Sequence, residues 1–267
     1  MNPPSVEHDS PPRSSLFNQS LEKGLDVLQA FGPQRRSMAL IEIAQATGLN
    51  KSSAQRMAHT LERLGYLRRH PRTRRYHLGQ RVMELGFRYL GSHPLVDAAN
   101  PFLSELTKLT QETCALTEPD RFDMVYLARF TSPQFVPIHM PVGSRVPMYC
   151  TGSGRAYLSA LPEAEAAAVL EGSERKAHTP YTKTSVEVIQ SDLQQTRLRG
   201  YAINGEELFL GDMTLAAPIC NAAGQPVAAV HIVAPTSRWT RERAEKKLAP
   251  ALMQCALSLN TIARAVE

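Results

Sequence analysis

Two short helical patterns separated by only three residues constrain the fold of this chain most. The first pattern places four small or apolar side chains at the i, i+3, i+4 and i+7 spacing of one helix face, namely Leu40, Ile43, Ala44 and Thr47. Gly48 follows where a chain leaving a helix often needs a positive φ. Asn50 is a good N-cap for the next helix. Two short helices joined by Gly-Leu-Asn are typical of a helix-turn-helix.

The second of these helices presents a polar face opposite its apolar one. At about 100° per residue, the apolar side holds Ala54, Met57, Ala58, Leu61 and Leu64. The opposite side holds hydrogen-bonding residues and no acid, namely Ser52, Gln55, Arg56, His59 and Arg63. Arg and Gln can pair with guanine and adenine edges, so the first four are candidate base readers. Arg63 and Lys51 are candidate phosphate contacts, and Ser53 completes the candidate set on this helix. An ordinary solvated face remains the alternative for the helix taken alone.

The residues on either side of these helices extend the motif. An earlier helix is predicted from the spacing of Leu21, Leu25, Leu28 and Phe31, with Ser20 as its N-cap. After the helices, two alternating runs flank a Pro-containing turn, which predicts a β-hairpin with Tyr66, Tyr76 and Leu78 packing inward. Arg72, Arg74 and Arg75 crowd the hairpin tip, where like charges repel one another unless phosphates lie beside them. The whole pattern predicts a winged helix-turn-helix.

The charge of the chain is divided between two regions. Residues 1–92 hold 14 basic and 7 acidic residues, a net charge of +7, whereas residues 93–267 hold 16 basic and 18 acidic residues, a net charge of −2. A basic module of this kind favours a polyanionic partner. The four cysteines are far apart and form no C-x-x-C pair, which favours a cytosolic protein with reduced thiols. No apolar run reaches membrane-spanning length, and the polar, Pro-rich N-terminus is expected to be a disordered tail rather than a signal peptide.

Three segments carry a resemblance to a known family. SLEKGLDVLQAF, LIEIAQATGLNKSSAQRMAHTLERLGYL and RRYHLG resemble the DNA-binding domain of the IclR-type (isocitrate lyase regulator type) bacterial transcriptional regulators, and the resemblance runs from about Ser20 to the C-terminus. The family often has Pro at the place of Asn50 and Gly at the place of Arg74. The first difference exchanges one helix-start residue for another, and the second adds charge at the wing tip.

The second region alternates strands and helices in an order that favours an α+β domain on an antiparallel sheet. A linker helix is predicted near Val82–Tyr89, a long helix over Leu95–Thr110, and a closing helix over Arg241–Ala265. Strands are predicted at residues 114–117, 123–129, 135–138, 214–220 and 226–233. The expected domains are a tail over 1–19, a winged helix-turn-helix over 20–79, a linker helix over 80–92 and a GAF-like effector-binding domain over 93–267, the last as the resemblance implies.

The resemblance also implies a small-molecule pocket under the loops of this domain. VGSRVPMYCTGSGRAYLSALP and RGYAINGEELFLGDMTLAAPICNAAGQPVAAVHIVAP look like the family's pocket-forming stretches. The implied pocket positions are Gly154, Asn204, Thr214, His231 and Val233. Asn204 and Thr214 stand where the family can have Asp and Cys, and His231 and Val233 stand where it can have small hydroxyls. The pocket is therefore expected with altered chemistry.

The histidine in the middle of an apolar strand supports this expectation. Ala229, His231 and Val233 share one strand face and Val230 and Ile232 share the other. A buried histidine is costly unless it finds a partner, and a satisfied core histidine is the usual alternative. Neutral His, Asn and Thr offer donors and acceptors, and a protonated His would favour a carboxylate. The expected effector is a small carboxylic acid, with an aromatic acid favoured by the apolar strand face.

Other kinds of site find little support. Cys150 near Gly152 could serve as a thiol nucleophile, but no triad spacing accompanies it, so no catalytic residue is assigned. The sequence has no phosphate loop, no helical pair of metal-ligating histidines and no signal for a cofactor. The adjacent Glu206 and Glu207 are interpreted as surface charge. The alternative function is a DNA-binding regulator or architectural protein whose C-terminal domain serves only oligomerisation.

The resulting hypothesis is a ligand-responsive transcriptional regulator of a catabolic operon that acts in the cytoplasm without a membrane partner. Its expected partners are double-stranded DNA with a pseudo-palindromic operator, a small carboxylate effector, and a second copy of the chain. The first helix and the linker helix are the predicted dimer elements, and the family implies a homodimer or a tetramer. RNA polymerase is one further candidate partner.

Overall fold

The computed structural model describes residues 15–134, 138 and 140–265, and these divide into two compact units that meet along the chain between Arg88 and Tyr89. The predicted tail and the predicted strand at 135–138 therefore lie largely outside the described residues. The helices are α1 (Gln19–Gln29), α2 (Leu40–Thr47), α3 (Lys51–Arg63), α4 (Arg81–Gly91), α5 (Pro94–Thr110), α6 (Gly152–Ala160), α7 (Glu163–Gly172), α8 (Val186–Arg199), α9 (Arg241–Lys247) and α10 (Ala249–Ala265). The strands are β1 (Leu67–Arg69), β2 (Tyr76–Leu78), β3 (Thr113–Asp120), β4 (Asp123–Phe130), β5 (Arg145–Pro147), β6 (Ala202–Gly205), β7 (Asp212–Cys220) and β8 (Pro226–Pro235).

The first unit is the predicted winged helix-turn-helix. Helices α1 to α3 pack around a core that includes Val27, Ile43 and Ala58, each fully buried. The hairpin of β1 and β2 is antiparallel, with Leu67 opposite Leu78. Met38 forms a further antiparallel bridge with Tyr76, which ties the wing to the segment before α2.

Several local predictions in this unit are wrong. Asn18, not Ser20, caps α1, because its side-chain oxygen accepts the backbone N–H of Leu21. Leu21 and Leu25 are exposed, whereas Phe31 is buried and Leu28 packs against the core as predicted, and Val27 is a further, fully buried core residue. Leu78 is 37% exposed, and the inward-facing residue of the opposite strand is Leu67. The spacing therefore identified the helix correctly, but which of its side chains are buried depends on the packing of the neighbouring helices.

The second unit is a three-layer α+β domain, and α+β is the fold class that the sequence predicted. Six strands of its described residues form one antiparallel sheet in the order β5-β4-β3-β8-β7-β6. Helices α5 and α10 pack on one face against residues such as Val230 and Ile232. Helices α6 and α8 pack on the other face together with Ala115 and Ala229. The alternation predicted for β8 is therefore confirmed.

Three features of this unit differ from the predictions. The closing helix is two helices, α9 and α10, separated at Leu248, because Pro250 cannot donate a backbone hydrogen bond within a continuous helix. Strands β5 and β6 were not predicted, since each has only three or four residues. Glu207 is buried rather than a surface charge.

Candidate functional site

Helix α3 presents its polar side to solvent. Asn50 caps the helix by accepting the Ser53 backbone N–H at 2.8 Å, and Gly48 ends α2 with φ +67°. Ala54 and Ala58 are fully buried. The exposed positions are Lys51, Ser52, Gln55, Arg56, His59 and Arg63, while Ser53 is half-buried. The structure thus brings six of the seven α3 candidates onto an open helix surface.

The wing supplies three arginines with different environments. Arg72 is exposed, and Arg74 is exposed with its backbone at φ +58°, a left-handed conformation that costs a non-glycine residue about 1 kcal/mol or more. Arg75 instead donates to the Glu42 carboxylate at 2.6 Å and to the Ser37 carbonyl at 2.9 Å. Arg75 therefore braces the wing against the start of α2, and Arg72 and Arg74 are the tip arginines that face solvent.

The sheet of the second unit brings distant residues into rows on one face. In one row Asn204 pairs with Thr214, and Thr214 pairs with Val233, which pairs with Thr113. Neighbouring strands lie about 4.8 Å apart, so these positions are adjacent although the chain separates them widely. The register alone therefore assembles three of the predicted pocket positions.

The next row has small residues on either side of a histidine. Arg129 of β4 is opposite Ala115, which is opposite His231, and His231 is opposite Ala216. Both alanines are fully buried. Both belong to the core that packs against α6 and α8, and the long side chains of this row are Arg129 and His231.

A candidate site made of two adjacent cavities, called here its two lobes, lies over these two rows. Its first lobe, of about 40 Å³, is lined by Asn204, Thr214, His231 and Val233 together with the start of α6 and the 206–209 loop. Its second lobe, of about 30 Å³, is lined by Thr113, Arg129, Ile138 and Met140. The two lobes share the walls Tyr126, Phe209, Asp212 and Val233. Four of the five predicted pocket positions line this cavity.

Gly154 does not line the cavity. A Cβ built on it would lie 2.2 Å from the Met148 Cα, so glycine is required there by backbone contact. Gly152 and Ser153 of the same helix start line the first lobe instead.

His231 is a buried residue whose ring has one nitrogen, Nδ1, without a hydrogen bond among the described residues. It is 1% exposed, and its ring contacts Tyr126 edge-on, with the ring centroids 5.3 Å apart. Burial, with the Arg129 charge adding to it, lowers the pKa of His231 to about 4. His231 is therefore neutral near pH 7, which corrects the idea of a protonated histidine that attracts a carboxylate.

A buried ion-pair network holds residues that line the first lobe in place. The Arg155 guanidinium contacts Glu207 at 2.9 Å and Asp192 at 2.6 Å. The Asn204 amide donates to the other oxygen of Glu207 at 2.8 Å. Arg155 and Glu207 side chains are each 4% exposed, so breaking the pair would leave a buried charge and cost about 3–5 kcal/mol.

Asp212 is the acidic residue of the shared wall. Burial raises its pKa to about 6, although the nearby Arg129 charge and the Met213 backbone N–H act in the opposite direction. Its charge therefore changes close to neutral pH.

Comparison with known proteins agrees with both units. The IclR helix-turn-helix domain matches residues 20–71, and the bacterial transcriptional regulator IclR C-terminal domain matches residues 87–261. The chain belongs to the IclR family. It is accordingly a transcriptional regulator and not an enzyme. Burial also raises the pKa of the Cys150 thiol to about 12, which is unsuited to a nucleophile.

Individual IclR-family proteins match over nearly the whole chain. The Pca regulon regulatory protein of Pseudomonas putida is 32% identical over 91% of this chain and 83% of its own length. The p-hydroxybenzoate hydroxylase transcriptional activator of Acinetobacter baylyi is 30% identical over 94% of this chain and 93% of its own. The crystal structure of a transcriptional regulator from Rhodococcus sp. RHA1 has a TM-score of 0.83 at 32% identity, covering 94% of this chain and 100% of that one.

Sequence reasoning missed several residues of the IclR-type pocket. Arg129, Asp212 and Tyr126 line the cavity, and Glu207 fixes Asn204 from behind. Strict alternation along β4 would place Arg129 on the face opposite Tyr126. The register shift between β3 and β4 at Leu116/Thr117 brings both residues to the cavity. Among the residues described, no group of metal-ligating side chains and no helix able to cross a membrane is found.

Proposed function

We propose that this IclR-family regulator controls a bacterial catabolic operon in response to a small aromatic carboxylic acid. The observation that carries the proposal is the cavity over the sheet, with the buried His231 in its wall, whose Nδ1 atom has no hydrogen bond among the described residues. Tyr126 and Phe209 supply aromatic walls. The names of two relatives point to the same chemistry, since one regulates a Pca regulon and the other activates p-hydroxybenzoate hydroxylase.

DNA recognition in this proposal uses α3 and the wing. Ser52, Gln55, Arg56 and His59 read base edges, because N-terminal residues of a recognition helix reach into the major groove. The phosphate contacts are Lys51, Ser53, Arg63, Arg72 and Arg74, with Arg75 holding the wing in place. Two copies of the domain bind the half-sites of a pseudo-palindrome.

Dimerisation in this proposal uses the apolar residues that the first unit leaves exposed. Leu21 and Leu25 of α1 and Met83, Leu85 and Phe87 of α4 are all at least 46% exposed. Contiguous exposed apolar side chains mark interaction surfaces. A second copy covers them, and the effector domains pair further in a tetramer.

The effector acts by shifting populations of the linker geometry. Each lobe of the cavity has room for only a few water molecules. An aromatic acid therefore enters by displacing Leu208 and Phe209 of the covering loop. Because α4 connects the two units along the chain, a change in the effector unit alters how the two DNA-binding domains of a dimer are spaced, and with it the contact to RNA polymerase.

The test is calorimetric titration of the full-length protein with aromatic and aliphatic carboxylic acids. Wild type is expected to bind an aromatic acid, and His231→Ala to bind it at least tenfold more weakly. His77→Ala, on the wing, is the matched control and is expected to bind like wild type. If no acid binds or raises the melting temperature, the C-terminal unit serves only oligomerisation, and the effector role is wrong.

A further inference from the structure

The two ends of the cavity differ in chemistry. Asn204 lines only the first lobe and Arg129 only the second. Their strands, β6 and β4, stand at opposite sides of β3, β8 and β7 in the sheet. A ligand that spans both lobes therefore meets a cation at one end and an amide at the other.

The Arg129 guanidinium, at the second lobe, has more N–H donors than its hydrogen bond to the described residues uses. Its Nη2 donates to the Ile138 carbonyl at 3.2 Å, and no described carboxylate lies within the 4.0 Å of an ion pair. Asp212 shares the lobe and interacts with Arg129 through space. Arginine presents five N–H donors in a fork that matches a carboxylate, so this end of the cavity suits an anion.

The other cationic groups near the cavity are already used or uncharged. Arg155 is held by Glu207, Asp192 and the Tyr149 carbonyl. His231 is neutral at physiological pH. Among the described residues that line the cavity, Arg129 is the charge that remains to bind a carboxylate. The start of α6, at Gly152 and Ser153, is the competing place for it.

At the first lobe the ion-pair network fixes the orientation of Asn204. Glu207 accepts the Arg155 guanidinium and the Lys183 backbone N–H on one oxygen, and the Asn204 amide N–H on the other. An ionised carboxylate can only accept hydrogen bonds. The Asn204 nitrogen must therefore face Glu207, and its Oδ1 is left as an acceptor for a ligand donor.

Building on the effector role proposed above, we propose that the cavity binds a hydroxylated aromatic carboxylate in one orientation. The carboxylate pairs with the Arg129 guanidinium, the ring lies between Tyr126 and Phe209 beside His231, and the distal hydroxyl donates to Asn204 Oδ1. Arg129 is then the residue that selects acids, and Asn204 the residue that selects hydroxylated rings.

The first experiment compares 4-hydroxybenzoate with its neutral isostere 4-hydroxybenzamide by calorimetry on the full-length protein. Arg129→Gln is expected to weaken binding of the acid by about 10- to 100-fold, the range of a hydrogen bond to a charged group. Binding of the amide is expected to stay unchanged. Arg129→Lys is expected to restore part of the preference for the acid. Equal weakening of acid and amide, or no weakening of the acid, overturns the Arg129 assignment.

The second experiment compares 4-hydroxybenzoate with benzoate. Wild type is expected to prefer the hydroxylated acid by about tenfold, and Asn204→Ala to lose that preference while still binding benzoate. A preference that survives in Asn204→Ala places the hydroxyl elsewhere and overturns the orientation. Melting curves of each variant establish that it is folded.

A control separates this inference from the proposed function. Arg145 is an exposed arginine of the same unit, paired with Asp120 and Asp123, and Arg145→Gln is expected to bind every ligand like wild type. If wild type binds neither benzoate nor 4-hydroxybenzoate, the aromatic effector itself is wrong. If wild type binds them and Arg129→Gln still distinguishes acid from amide, only the orientation is wrong.

Discussion

The DNA-facing surface and the effector cavity are assembled in opposite ways. All seven candidate DNA contacts of α3 come from thirteen consecutive residues, and six of them are exposed. The cavity draws its walls from β3, β4, β6, β7 and β8, which are far apart along the chain, and its residues are mostly buried. A site made by one helix follows from helical periodicity, whereas a site made by a sheet depends on the register between strands.

The largest expected effect comes from Gly154→Ala. The added Cβ would meet the Met148 backbone at 2.2 Å, so we expect a loss of more than about 3 kcal/mol in the stability of the effector unit. Thermal melting of the full-length protein measures it. Gly205→Ala, whose Cβ would meet no atom within 4 Å, is the control. A stable Gly154→Ala protein that fails to bind effector would instead make Gly154 a ligand contact, as the resemblance implies.

Arg56→Ala tests the other side of the comparison. Loss of a bidentate base contact is expected to cost about 1–3 kcal/mol on an operator selected from random DNA, and much less on scrambled DNA. Fluorescence anisotropy on both DNAs measures the ratio. An unchanged footprint and an unchanged ratio would remove Arg56 from the base-reading set.

The charge of Asp212 predicts a pH dependence of effector binding. Its pKa of about 6 means that it is mostly neutral at pH 5 and mostly ionised at pH 7. Ionised Asp212 competes for Arg129, so affinity for a carboxylate is expected to fall by up to about tenfold over this range. His231, with a pKa of about 4, and Tyr126, with a pKa of about 12, keep their charge there, and Glu207 is the other lining carboxylate whose pKa burial raises.

Titrations at pH 5, 6 and 7 check this pH dependence. Asp212→Asn is expected to bind the acid tightly at every pH, and 4-hydroxybenzamide is expected to show no pH dependence. An acid affinity that falls equally in Asp212→Asn would assign the effect to another group.

The smallest expected effect comes from Arg74, where one substitution is expected to raise stability and to lower DNA affinity. Arg74→Gly removes the left-handed strain and is expected to stabilise the first unit by about 1 kcal/mol. It also removes a phosphate contact, so it is expected to weaken binding to all DNA and to reduce the salt slope by about one. Arg74→Ala is expected to lose the same DNA affinity without the gain in stability. A normal salt slope in both variants would exclude the phosphate contact.

Local features of the fold could be predicted because short-range rules set them. Asn50 caps α3 and Gly48 ends α2 as expected, since caps depend on neighbouring backbone groups. Helix α1 was predicted, and Leu28 and Phe31 contact the core as expected, but the exposure of Leu25 and the burial of Val27 depend on how α2 and α3 pack.

The residues of the cavity could be predicted only in part. Asn204, Thr214, His231 and Val233 came from the resemblance, and the strand alternation of β8 supported His231. The burial of Glu207 could not be foreseen, because its partner Arg155 lies 52 positions earlier and only the folded sheet brings them together. The role of Arg129 could not be predicted for the same reason, because its place in the cavity depends on the register between β3 and β4.

The cavity-lining strand positions beside His231 have a consequence for how new specificities arise. One face of the sheet carries the core with α5 and α10, and the opposite face carries the cavity. Exchanging Thr214 or Val233 for a residue of another size would reshape the cavity while the side chains of the core on the other face stay in place. A duplicated gene could therefore acquire a new inducer through one or two codon changes, with its DNA-binding unit untouched.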